Sequence, residues 1–202
     1  MKTEIVCRND CDWTRTEPLS VGCYPWGGEY RPVTTARVLI QNNVGLRIRM
    51  ECRETEPKRT YTQPDSPVCR DSCLECFLNP APEGDFGYLN LECNANGALH
   101  AAYGRDRNDR VFLRDIGVAL PQVNVQETAQ GWSAEFTVPF SLLEALYQKP
   151  CFQPGDEIAV NFYKCGDETD PPHYGCWSPI ETPQPDFHRP EFFGRLVVRT
   201  NP

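Results

Sequence analysis

The sequence predicts an all-β protein: an antiparallel β-sandwich with one short helix. Three observations lead there. Nineteen prolines and 14 glycines punctuate the 202 residues and leave short segments between them, a strand-like rhythm. Many of those segments alternate apolar and polar side chains with period two, as a strand presents successive residues to opposite faces. Turn-forming runs separate paired segments, and Asn94-Ala95-Asn96-Gly97 is the strongest of them.

Taken in order, residues 36–41 and 46–53 flank Asn42-Asn43-Val44-Gly45 and read as a hairpin. Leu46, Ile48, Met50 and Cys52 share one face there, and Arg47, Arg49, Glu51 and Arg53 the other. Residues 55–67 read as a polar, proline-containing loop. Residues 72–79 are a strand in which Ser72, Leu74, Cys76 and Leu78 oppose Cys73, Glu75 and Phe77. Residues 87–93 and 98–103 form the next hairpin, with Leu89, Leu91 and Cys93 opposing Tyr88, Asn90, Glu92 and Asn94. Residues 105–110 read as a charged, solvated loop. Residues 123–128 and 132–138 pair around Ala129-Gln130-Gly131, with Ala134, Phe136 and Val138 in apolar phase.

Ser141 is the expected cap of a helix over residues 142–147, and Pro150 its stop. Strands at 157–164 and 194–200, with a short piece at 174–177, complete the set. One apolar and one polar face per strand predicts antiparallel sheets covered on one side, two of which pack into a sandwich. Ile48, Leu74, Leu91, Phe136 and Val160 are the expected core. Residues 1–202 read as a single domain.

Composition narrows the function. Hydrophobic residues at 40% and charged residues at 24% are ordinary globular usage, which excludes a disordered chain. A net charge of −8 repels a phosphate backbone, so no nucleic-acid partner is expected. No segment approaches the roughly 18 apolar residues of a membrane helix, so no membrane partner is expected. The start Met1-Lys2-Thr3-Glu4-Ile5-Val6-Cys7 has no apolar core of a leader peptide, which points to a cytoplasmic protein with reduced thiols. Of eleven cysteines, Cys52, Cys76 and Cys93 fall in apolar phase, where a free thiol packs as a small hydrophobe.

The polar strand faces carry Arg, Glu, Asn and Tyr, groups that donate and accept hydrogen bonds to hydroxyls; on a curved sheet they line a trough. A second candidate region is dense in aromatics and prolines: residues 161–165, 173–177 and 185–194. Rings there offer flat platforms for the C–H face of a sugar, although Trp177, Phe192 and Phe193 also suit a core. Catalytic signatures are absent: three histidines, no Gly-x-Ser-x-Gly elbow and no His-Glu-x-x-His helix. Glu75 and Glu92 resemble a glycosidase pair only in being two carboxylates. Cys73-x-x-Cys76 on a strand sends its thiols to opposite faces, a poor metal or redox pair. Asp167, Glu168 and Asp170 form an acidic loop with oxygen ligands for calcium, the one candidate cofactor, in a structural role.

Several of these runs, in order, resemble the family-9-like carbohydrate-binding modules. They are Arg70-Asp71-Ser72-Cys73-Leu74-Glu75-Cys76-Phe77, the hairpin from Tyr88 to Gly97, and the segment from Trp132 to Phe140. Asn161-Phe162-Tyr163-Lys164-Cys165 and the run from Pro185 to Gly194 complete the match, which begins near Trp26. The resemblance implies a DOMON-like, jelly-roll-like β-sandwich that binds carbohydrate without catalysis, in sugar breakdown, with a glycoside hydrolase as a partner in trans. It also implies that Glu75 contacts sugar hydroxyls. Related modules grip a sugar between two tryptophans, and here those positions hold Cys69 and Phe187. The expected carbohydrate-binding residues are Glu75, Glu92, Asn94, Asn161, Tyr163, Phe187 and Trp177. The alternative is a module of this fold that has lost sugar binding and recognises another ligand or a protein; a glycosidase comes third.

Overall fold

The computed structural model describes residues 2–199. In chain order its first strands are β1 (Lys2–Arg8), β2 (Leu19–Ser20), β3 (Thr34–Gln41) and β4 (Gly45–Cys52). There follow β5 (Cys73–Asn79), β6 (Tyr88–Asn94), β7 (Leu99–Gly104), β8 (Arg110–Phe112), β9 (Gln122–Thr128) and β10 (Gly131–Pro139). The helix α1 (Phe140–Tyr147) precedes β11 (Glu157–Gly166), β12 (His173–Cys176) and β13 (Gly194–Arg199). One layer runs β8-β7-β6-β5-β11-β13 with β12 on β11, and the other β3-β4-β10-β9 with β2 on β3. β1 joins them. Its residues Lys2–Val6 pair parallel with β13, and Cys7–Arg8 pair parallel with β3. Every other pairing is antiparallel.

The core lies where the alternation puts it. Leu74, Leu91 and Val160 from one layer meet Ile48 and Phe136 from the other, all fully buried. Each such side chain contributes roughly 1.5–3 kcal/mol by leaving water. Cys52, Cys76 and Cys93 pack in the same core. All eleven cysteines are unpaired.

Four expectations need correction. The layer containing β5, β6 and β11 is covered on both sides, because the segments 53–72 and 167–193 fold over its outer face; β6 is buried along its whole length. The helix starts after Pro139, with no side-chain cap, so Ser141 lies inside its first turn. It ends at Gln148, which takes a left-handed conformation and donates its N–H to Glu144, before Pro150 is reached. The loop at 105–110 is not merely solvated, since Arg110 opens β8 and both Arg107 and Arg110 face a cavity. β1, β2 and β8 had no usable pattern, being short or mixed in polarity. The last predicted strand reaches Arg199, and Thr200 lies outside the described residues, as does Met1. Among the described residues no helix is long and apolar enough to cross a membrane.

Candidate functional site

The outer face of β5, β6, β7 and β11 sets side chains in rows across the strands. Register places Tyr163 opposite Glu75, Glu75 opposite Glu92 and Glu92 opposite His100. Beside this row stand Cys165, Cys73 and Asn94 on one side, and Asn161, Phe77 and Asn90 on the other. Loops raise walls around the middle row and leave a cavity of about 320 Å³. Glu75, Glu92 and Cys165 form its floor, His100, Arg107 and Arg110 one side, and Tyr174 and residues 185–188 the other, with Cys69 and Asp167 at the rim. A recess between residues 55–59 and 127–132 is larger, about 540 Å³, but its one ring, Trp132, is turned into the core.

The floor is electrostatically unusual. Like charges directly opposite each other on a sheet repel. Burial, and then the charge of Glu92, push the Glu75 carboxyl well above the usual carboxylate range. Its Oε1 accepts a hydrogen bond from Cys165 Sγ at 2.9 Å. Glu92 Oε1 accepts from Asn90 Nδ2 at 2.8 Å, and Asn90 Oδ1 in turn accepts from Arg110. His100 Nε2 is buried without a partner. An orphaned polar atom costs about 1–3 kcal/mol unless something in the cavity satisfies it.

The opposite wall is aromatic and fixed. Phe187 stacks on Tyr163 at 4.1 Å with an interplanar angle of 9°. Tyr163 Oη donates to the Phe187 carbonyl at 3.1 Å. Trp26 and Tyr174 stand against the same ring at 5.8 and 6.3 Å. His188 shares a 2.7 Å hydrogen bond with Tyr88 and packs on Phe77. Burial, then the positive charges of Arg110 and Arg107, hold His188 neutral, with its pKa down to about 2. Arg107 pairs with Asp186 at 3.2 Å across the rim.

Of the expected residues, Glu75, Glu92 and Phe187 come together in this cavity, and the other four do not line it. Asn94 is consumed by its hairpin. It donates to Tyr61 O and Asp71 Oδ2 and accepts from the Asn96 and Ala98 amides. Asn161 ties β11 to the segment after β12, donating to Ser178 O and accepting from Ser178 N. Tyr163 lies beneath Phe187. Trp177 packs on Phe162 in the inter-layer core, 5.6 Å between rings. His100, Arg110 and His188 line the cavity without having been singled out. His100 was legible by extending the hairpin register from Glu92; Arg110 was hidden in a charge run. In the acidic loop, Asp167 turns to the cavity rim while Glu168 pairs with Lys58 and Arg70, each at 3.5 Å. The loop's carboxylates make no three-ligand group among the described residues.

A β-sandwich with a polar-floored cavity beside an immobilised ring is a small-ligand binding module. The profile of carbohydrate-binding family 9 matches residues 11–198, nearly the whole chain, and the protein belongs to that family of carbohydrate-binding modules. Among solved structures, a candidate carbohydrate-binding protein from Bacteroides uniformis ATCC 8492 is 23% identical, with 98% of each chain covered and a TM-score of 0.79. Family 9 modules from Caldicellulosiruptor kristjanssonii are 12% identical and are covered over 100% of this chain. The one solved with glucose has a TM-score of 0.71 over 97% of its own chain, and the one with cellotriose 0.69 over 95%. These likenesses establish the sandwich fold. No curated protein matches the sequence significantly.

Proposed function

We propose that the cavity over β5, β6 and β11 binds a mono- or short oligosaccharide without catalysing its cleavage. The carrying observation is the row Glu75–Glu92–His100 facing the fixed Phe187 ring. The row offers donors and acceptors for hydroxyls, and the ring offers an apolar surface for the C–H face. A volume of about 320 Å³ is at the small end of ligand sites, which suits a ligand of this size. The glucose and cellotriose seen in related modules agree with that class. Cleavage would need carboxyls flanking the scissile bond from two sides. Glu75 and Glu92 are register partners on one floor, so both would meet a sugar from the same side. By this reading the chain serves a glycoside hydrolase acting in trans.

The test is a glycan-array screen of the full chain, with and without calcium, followed by calorimetry of the best ligand against Phe187→Ala and Glu75→Ala. Both substitutions are expected to weaken binding. Unchanged affinity in both would place the sugar elsewhere.

A further inference from the structure

We propose that Cys73, Glu75 and Cys165 form a site for a thiophilic divalent cation such as Zn²⁺, set into the floor of the cavity. The local Cys73-x-x-Cys76 spacing fails as a metal pair because its thiols part: Cys76 enters the inter-layer core, and Cys73 the outer face. The second thiol comes instead from across the sheet. Cys165 on β11 is the register partner of Cys73 on β5. Glu75, two residues on from Cys73, shares its face and adds a carboxylate.

One donor atom from each residue lies within 4.8 Å of the other two. Two thiolates at about 2.3 Å from a tetrahedral ion sit roughly 3.8 Å apart, so the cluster already has the size of a coordination shell. The 2.9 Å hydrogen bond from Cys165 to Glu75 has to open, by under about an ångström, and the long sulfur contacts of Cys73 with the Leu74 carbonyl and of Cys165 with the Cys69 carbonyl, at 3.9 and 3.8 Å, are given up. Both strands are paired on either side at the site, β5 by β6 and β11, and β11 by β5 and, at Cys165, by β12. The donors are therefore preset on rigid elements. Glu75 and Cys165 also line the cavity, with Cys69 at its rim. The ion thus has an entry path and a fourth position for a water. Two sulfur donors select zinc-like ions over calcium or magnesium, which take oxygen ligands. The proposal does not depend on which sugar binds, or on whether one does.

The experiment titrates reduced, chelator-treated full chain with Co²⁺ alone. A single equivalent is expected to give a thiolate-to-cobalt charge-transfer band and the visible bands of a tetrahedral site, both abolished by Zn²⁺. Cys73→Ser and Cys165→Ser are each expected to lose the charge-transfer intensity, and Cys151→Ser, an exposed thiol, to keep it. Glu75→Gln is expected to weaken Zn²⁺ by at least tenfold, the lower range seen when even outer-shell partners are removed. Absence of the bands in the parent protein, or their persistence in the Cys73→Ser/Cys165→Ser double variant, overturns the site. Should the serine variants not fold, alkylation mapping of the parent decides. Zn²⁺ is expected to protect Cys73 and Cys165 selectively, and equal labelling with and without Zn²⁺ refutes the proposal.

Discussion

Glu75 carries the chemistry of the site. Its carboxyl is buried, faces Glu92 across the strand pair and is driven well above the usual carboxylate range. A carboxyl that holds its proton offers a hydroxyl donor together with a carbonyl acceptor, as a glutamine amide does. Glu75→Gln is expected to retain most of the sugar affinity, whereas Glu75→Ala removes a neutral hydrogen-bond partner. That loss corresponds to about 0.5–1.5 kcal/mol, or about two- to tenfold. Calorimetry of the two variants side by side decides: equal losses would mean that the ionised carboxylate does the binding. The same Glu75→Gln protein is expected to lose metal affinity, so sugar and cation readings separate within one variant. Glu75 and Glu92 were legible because strict alternation fixes their face and the Asn94–Gly97 turn fixes their pairing. Trp177 was not, because it follows β12 directly, where no alternation says whether a ring turns inward or outward.

Between residues and the whole fold, the β6–β7 hairpin shows how a candidate ligand contact becomes scaffold. Gly97 occupies the turn at φ 82°, a left-handed conformation natural to glycine. The Asn94 side chain fastens the turn to Asp71 and to the Tyr61 carbonyl through two donated hydrogen bonds of 2.9 and 2.8 Å. Those contacts hold the covering segment over the outer face of the sheet. Asn94→Ala orphans buried partners and is expected to cost about 2–3 kcal/mol, read as a lower urea midpoint. The sugar affinity of the remaining folded protein should be unchanged; a matching loss of affinity would return Asn94 to the site. The element pattern also marks the limit of sequence reading. Strands with an apolar phase were found nearly in full, since burial between layers leaves a period. The covering segments have no period, because irregular loops satisfy their backbone through side chains such as Asp71, which accepts from the Thr60 and Tyr61 amides. The conversion of an open trough into a walled cavity was therefore invisible in the sequence.

At the scale of the molecule, one buried polar grouping ties the layers together, and two buried histidines make stability depend on pH. Lys164 continues the core phase of Ile158, Val160 and Phe162 to the end of the sandwich, where it is fully buried. It pairs with Glu54 at 3.4 Å and donates to Ser72 Oγ and His173 Nε2 at 3.0 and 2.7 Å. Glu54 also receives the Trp132 indole N–H from β10 at 3.1 Å. Burial alone would raise the Glu54 pKa, but Lys164 and the hydrogen bonds from Ser72 and Trp132 outweigh it and leave the carboxyl below its usual range. Lys164→Met strands that charge and is expected to cost about 3–5 kcal/mol. Adding Glu54→Gln should recover part of the loss, as a double-mutant cycle in urea would measure. The lysine requires a neutral His173 to accept its proton, and burial followed by the Lys164 charge lowers His173 to about 4. His188 in the cavity wall is lowered further, to about 2. Both histidines are neutral in the fold, while in the unfolded chain they take up a proton near pH 6.5. The unfolded state thus binds more protons as pH falls below that value, and stability is lost by about 1.4 kcal/mol per pH unit per histidine. The loss continues until the folded pKa is reached. Glu75 acts in the opposite sense, since its retained proton favours the fold at low pH and that advantage fades as pH rises above its unfolded value. Urea midpoints measured from about pH 7 down to about pH 4.5 are expected to fall, with up to about 3 kcal/mol attributable to each histidine. In His188→Gln the amide can keep the Tyr88 hydrogen bond without titrating, so the slope should flatten by one histidine's share. A variant with the parent's slope would show that His188 is not among the groups that set the acid limit of this fold.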